Sequence, residues 1–196
     1  MDYKNMKDQE LIDMFASGNE NSIKELFRRH KGKIFTYILL IVKDRELTED
    51  IFQETFIKVI KSLRKGRYME QGIFLSWVMR IAHNLIIDHF RKQKHLKITS
   101  TDKTETDLFN SKKFADSNVE DKMIQSRIEQ EVRQLINLLP DDQKEVILLR
   151  HYGDLSFKEI AEITNVSINT ALGRMRYALI NLRRIIEERK LTLTMQ

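Results

Sequence analysis

Apolar residues recur every three or four positions along most of this chain, and that rhythm predicts helices. Leu11, Ile12, Met14 and Phe15 predict a short helix over residues 8–18 with Gly18 as its C-cap. A second helix is expected from about Glu20, through Ile23, Phe27 and the apolar run Ile34–Val42, and Asp44 begins the next turn. From Leu47 the apolar positions are Ile51, Phe52, Phe56, Val59, Ile60 and Leu63, while Glu49, Asp50, Gln53 and Glu54 take the opposite face. Gly66 closes that helix and a short loop runs to Gly72. Residues 74–92 then form an amphipathic helix or a bent pair. Its apolar side is Phe74, Trp77, Val78, Ile81, Ala82, Leu85 and Ile86, and its polar side is Arg80, Asn84, Asp88, Arg91 and Lys92. On this pattern Trp77 is a core residue.

After Gln93 the pattern lapses. The stretch from His95 to Asn118 is poor in large apolar residues, rich in Ser and Thr and mixed in charge, which reads as a linker. Periodicity returns at Val119 and continues through Met123, Ile128, Val132, Leu135 and Leu138 to a stop before Pro140. The chain is therefore expected to hold two small helical domains, residues 1–95 and 119–196, joined by a flexible linker over 96–118.

The C-terminal part carries the sharpest local signal. Pro140 and Asp141 fit the first turn of a helix that runs through Val146, Ile147 and Leu149 to Tyr152–Gly153. Residues 155–163 form a short helix capped by Ser156, with Ile160 and Ala161 inward. Residues 164–167 make a tight turn, and Ser167 caps the last helix, where Ala171, Met175, Ala178 and Leu182 share a buried face. Small residues at Ala161 and Ala171 let two backbones cross closely. Helix, turn, helix at this spacing is either an αα-corner of a bundle or the DNA-binding arrangement whose second helix enters the major groove.

Composition sharpens the choice. One proline and six glycines in 196 residues argue for an all-α fold, because a sheet-rich chain needs more turns. The absence of cysteine removes disulfides, thiolate nucleophiles and Cys-ligated zinc, and fits a reducing cytoplasm. The N-terminus is too acidic and polar for a signal peptide, and the run Ile34–Val42 is too short to span a bilayer, so no membrane insertion is expected. The net charge of +5 is a weak signal, and placement says more. Ser167–Arg184 contains Arg174, Arg176, Arg183 and Arg184 and no acid, with Arg174 and Arg176 expected on the outer side. A basic run is ordinarily a solvated helix face; on a recognition fold it becomes a DNA footprint. His30, His83, His89, His95 and His151 show no metal-ligand spacing, and an enzyme is not expected.

Three segments together resemble an extracytoplasmic-function (ECF) type sigma factor of the sigma-70 family. They are DRELTEDIFQETFIKVIKSL (Asp44–Leu63), FLSWVMRIAHNLIIDHFRKQ (Phe74–Gln93) and LPDDQKEVILLRHYGDLSFKEIAEITNVSINTALGRMRYALINLRR (Leu139–Arg184). The resemblance covers almost the whole chain outside the linker. It implies a cytoplasmic protein with no catalytic residues and no cofactor. Its partners would be bacterial RNA polymerase core and promoter DNA, and an anti-sigma factor is a candidate third.

Carried over by position, Asp50, Gln53 and Glu54 would dock the polymerase clamp helices, which is reasonable chemistry for exposed acids and an amide facing a basic surface. Arg80 and Asn84 match positions near the displaced strand at the −10 element, and the loop Tyr68–Ile73 matches the element that captures a flipped base. Such a base needs an aromatic wall and edge-reading hydrogen bonds, which Tyr68 and Asn84 supply. Trp77 occupies the family's tryptophan position, with packing its expected role. Ser167, Asn169, Thr170, Arg174 and Arg176 would contact the −35 element. Leu172, Gly173 and Tyr177 depart from the polar or basic residues common there, which removes possible phosphate contacts.

The main competing reading is a one-component helix-turn-helix regulator. Against it, the N-terminal domain has no glycine-rich cofactor loop and no convergent carboxylate cluster.

Overall fold

The computed structural model describes residues 3–68, 73–94 and 134–189 in full and the backbone alone of residues 95–99. The chain divides into two compact units, residues 1–112 and 113–196, and every regular element among the described residues is helical. The expected helix over residues 119–133, the expected linker beyond Thr99 and the loop residues 69–72 lie outside the described residues.

The first unit follows a 3-10 turn (Tyr3–Asn5) with α1 (Asp8–Ala16), α2 (Glu20–Val42), α3 (Arg45–Arg64) and α4 (Phe74–Thr99). The breaks are written in local chemistry. The Asn19 side chain accepts from the Asn21 amide and so starts α2, and Asp44 Oδ1 accepts from the Leu47 amide at 3.0 Å and starts α3. Gly66, at φ +62°, ends α3 by donating its N–H to the Leu63 carbonyl.

The 3.6-residue stripes meet in the middle, where Leu11, Leu26, Ile34, Tyr37, Ile38, Val59, Val78, Met79 and Ala82 are fully buried. Phe27, Phe56, Phe52 and Phe35 form an aromatic file between α2 and α3, with successive ring centroids 4.0, 4.6 and 5.5 Å apart. In the same interior the Tyr37 hydroxyl meets His83 Nδ1 at 3.2 Å, joining α2 to α4. The helix α4 runs to Thr99, past the expected end at residue 92. No glycine or proline interrupts residues 87–99, so each further residue adds a backbone hydrogen bond whatever its polarity.

The second unit contains α5 (Asp141–His151), α6 (Phe157–Thr164) and α7 (Ile168–Glu188). Pro140 is the residue before α5 rather than part of its first turn. Its extended ψ of 147° leaves the carbonyl to accept from the Lys144 amide at 2.9 Å. Gly153 is fixed by space: a methyl there would lie 2.5 Å from the Leu149 carbonyl oxygen and 2.9 Å from Leu155 Cγ. Ser156 and Glu159 close a reciprocal cap on α6, and Asn165 turns the chain in the left-handed region at φ 54°.

Ala161, Ala171 and Ala178 are buried beside Leu148, Leu149, Leu155 and Ile160, so α6 and α7 meet through small side chains. Met175 and Leu182, expected on the same buried face, are only half-buried at its margin.

Candidate nucleic-acid and protein-docking surfaces

On α3 the side chains of Asp50, Gln53 and Glu54 are all exposed, and their spacing of three and four puts them on one face. Glu54 Oε1 lies 3.4 Å from Lys58 Nζ and Arg45 Nε lies 3.1 Å from Glu49 Oε1, both exposed pairs that leave the face solvated. Sequence reasoning missed Ile57 in this patch. It is 49% exposed, one turn from Gln53, while the adjacent Phe56 is buried. The available signal was its position: four residues after Gln53 and seven after Asp50, Ile57 falls on their side of the helix and outside the apolar stripe.

A second surface runs along α4. Trp77, Arg80, Asn84, Ile87 and Arg91 follow one another at intervals of three or four and share a row. Arg80 and Asn84 are exposed, and Ile87 is 42% exposed. Arg91 is held by Asp88 at 2.8 Å. At the head of the row the Tyr68 ring sits edge-on to Trp77, centroids 5.0 Å apart, with Phe74 6.0 Å beyond Trp77. Trp77 is half-buried rather than enclosed, so it packs the domain and still presents ring to the outside. Tyr68 thus joins the Arg80–Asn84 row through Trp77. This gives a surface with π-faces at one end and hydrogen-bonding and cationic groups further along.

The third surface is the first half of α7. The Ser167 hydroxyl accepts from the Thr170 amide at 3.0 Å and also bonds the Thr170 hydroxyl at 2.8 Å. The cap therefore orients Thr170 as well as starting the helix. Asn169 and Arg176 are exposed on the side away from Ala171 and Ala178.

Arg174 does not share that side. Two residues from Arg176 it falls about 200° around the helix. There its side chain is 26% exposed, with Nε 3.3 Å from Asp142 Oδ2 of α5. The expectation that both arginines face outward is corrected by this contact. Two turns further on, Asn181 donates to Gln143 Oε1 at 2.8 Å along the same α5–α7 seam.

Near the N-terminus a network holds the first turn of chain against α2. Arg29 donates to the Tyr3 and Met6 carbonyls at 2.6 and 2.7 Å and to Asp8 Oδ1 at 2.9 Å. Glu25 accepts two bonds from Arg28 and one from Arg29. These bonds hold its carboxyl at about 2, below the ordinary 4.5. Among the described residues no group of three His, Cys, Asp or Glu side chains is arranged to hold a metal, and no helix is long and apolar enough to cross a membrane.

The chain matches Sigma-70 region 2 over residues 26–96 and Sigma-70, region 4 over residues 129–177. Among curated proteins it is 28% identical over 173 residues to RNA polymerase sigma-H factor of Pseudomonas aeruginosa, covering 86% of this chain and 88% of that one. It is also 28% identical to the ECF RNA polymerase sigma-E factor of Haemophilus influenzae, covering 87% and 90%. Against RNA polymerase sigma factor YlaC of Bacillus subtilis it is 27% identical, covering 82% and 91%.

Two solved structures share the fold. CnrH, solved in complex with the cytosolic domain of CnrY, superimposes with TM-score 0.62 at 20% identity, covering 92% of this chain and 97% of that one. The sigma factor RpoE of Bartonella quintana, solved with the anti-sigma factor NepR, gives 0.63 at 18% identity, covering 84% and 96%.

Proposed function

This chain belongs to the sigma-70 family, in its ECF group, and from that premise we propose how its two units divide the work of directing RNA polymerase to promoters. A sigma factor is not an enzyme: it binds polymerase core and selects the start site, and the polymerase performs the chemistry. The observation that carries the division is that the two family regions fall on separate helical units, each with an exposed, chemically suited face.

In our reading the first domain, residues 1–95 within the first unit, docks core polymerase through Asp50, Gln53 and Glu54, with Ile57 as the apolar centre of that contact. Small apolar anchors ringed by charge are a common form of protein interface. The row beginning at Trp77 would hold the opened −10 strand, with Tyr68 and Trp77 as stacking surfaces and Arg80 and Asn84 for phosphate and base edge. The second domain, residues 119–196 within the second unit, would set α7 in the major groove of the −35 element. There Asn169 and Thr170 face base edges, Ser167 orders the first turn, and Arg176 faces phosphate. Arg174 is assigned to holding α7 against α5.

The segment after α4, residues 100–118, would tether the two domains, so that placing one raises the effective concentration of the other. The working site is the cytoplasm, where polymerase and promoter are, and an anti-sigma factor is the expected restraining partner.

The test is transcription from a promoter library by polymerase core with and without this protein. Transcripts that appear only with the protein, and share two upstream elements, are expected. Binding to core with no promoter-dependent transcript, or symmetric dimeric binding to duplex DNA without core, would overturn the reading.

A further inference from the structure

The last helix carries two rows of the same spacing, set two residues apart. Ala171, Met175, Ala178 and Leu182 form the inner row, and Asn169, Gly173, Arg176 and Ile180 form the outer one on the opposite side. In the outer row Asn169, Arg176 and Ile180 are exposed. Gly173 stands among them within the 21-residue helix Ile168–Glu188.

Among the described residues nothing asks for a glycine there. Its backbone is not in the left-handed region, and a methyl added to it would meet no heavy atom within 4 Å. Glycine is the poorest helix former after proline, so the position weakens the helix without a packing return. Beside it Leu172, on the same outward side, is 43% exposed. An apolar side chain and a bare backbone therefore adjoin on the face assigned to DNA.

We propose that Gly173 is where α7 comes closest to the floor of the major groove, with Leu172 lying against the C5-methyl of a thymine, and that this pair sets part of the −35 specificity. The proposal rests on the reading of α7 as the DNA-reading helix. A missing Cβ lets the helix axis settle deeper between the strands, which brings Asn169 and Arg176, one turn to either side, nearer to base edges and phosphates. Leucine offers no hydrogen bond. The thymine methyl is the apolar group that a base pair shows in this groove, while a polar edge under Leu172 would lose water without replacement.

The experiment uses the full chain with polymerase core on promoter DNA. Gly173→Ala is expected to raise the thermal midpoint of the free protein and yet to weaken the −35-dependent part of promoter affinity by roughly tenfold. Gly32→Ala is the control. Gly32 also sits mid-helix, in α2, with open space around it, so its replacement should raise the midpoint and leave −35 dependence unchanged. Deoxyuridine replacing each −35 thymine in turn removes the methyl alone. One such position should weaken the wild type and have no further effect on Leu172→Ala.

If Gly173→Ala leaves promoter affinity intact while Asn169→Ala and Arg176→Ala reduce it, the proposal is wrong and α7 still reads DNA. If none of the three changes −35 dependence, both fail. If no deoxyuridine effect depends on Leu172, the methyl contact is refuted.

Discussion

Arg174 of α7 and Asp142 of α5 face each other at 3.3 Å, and this pairing separates two arginines that sequence alone treats as equals. With Asp142 47% exposed, the pair is partly solvated and contributes less than about 1 kcal/mol. Arg174→Ala is therefore expected to lower stability slightly and to leave the salt dependence of promoter binding almost unchanged. Arg176→Ala is expected to weaken binding to all sequences alike and to flatten the slope of log affinity against log salt by about one phosphate contact. Titrations of the holoenzyme on promoter DNA at several salt concentrations distinguish the two. A shallower slope from Arg174→Ala, with none from Arg176→Ala, would reverse the assignment.

The acidic face of α3 makes a different kind of prediction, because its partner is protein. Replacing Asp50 and Glu54 with lysine should weaken binding to polymerase core, while unfolding stability changes by no more than about 0.5 kcal/mol per site. Ile57→Ser should also weaken core binding, and with less dependence on salt, since it removes apolar contact rather than charge. Pull-down at two ionic strengths reads both effects. Undiminished binding of all three variants would remove this face from the interface.

Much of this architecture is legible in the chain because its stops are local. Ser156 and Ser167 announce helix starts by side-chain type, and each is found accepting a first-turn amide. Asp44, expected to begin a turn, accepts the Leu47 amide in the same way. The apolar rhythm that placed Val59, Val78 and Ala82 inward holds, because an amphipathic helix has one face to bury. What escaped depends on distant partners or on degree. Arg174 turns inward only because α5 brings Asp142 to it, and Tyr37 finds His83 across the core. The loss of apolar pattern after Gln93 did not end the helix, whose backbone continues to Thr99. Ile57 was hidden by its neighbour Phe56, whose fit to the stripe accounted for the local pattern.

Glu25 gives the first unit an acid-sensitive clasp. Its folded carboxyl, at about 2, lies below the ordinary 4.5, so the stabilisation is complete above the ordinary value and is lost as pH falls toward 2. Unfolding midpoints measured across that window should fall with pH more gently in Glu25→Gln than in the wild type. Because Arg29 spans Glu25 and the Tyr3 and Met6 carbonyls, the same variant should speed amide exchange around α1. Identical pH profiles for the two proteins would show that the carboxylate contributes no net stability.

The aromatic end of the α4 row leads to the last prediction, which concerns promoter opening. Tyr68 packs against Trp77, and Asn84 lies two turns along from Trp77, about 10 Å by helix rise. A base leaving the duplex must lose stacking and pairing, and a ring wall with an amide beyond it can replace part of both. Tyr68→Ala and Asn84→Ala should therefore slow open-complex formation on duplex promoters and cost less on templates whose −10 region is already unpaired, where the energy of opening has been supplied in advance. Tyr68→Phe separates ring from hydroxyl: it should retain most activity if stacking is the contribution and lose it if the hydroxyl reads an edge. Because Tyr68 also covers Trp77, its alanine variant needs a stability measurement beside the kinetics. Equal losses on duplex and pre-opened templates, or losses that follow the fall in stability, would assign Tyr68 to packing and leave strand capture to other groups.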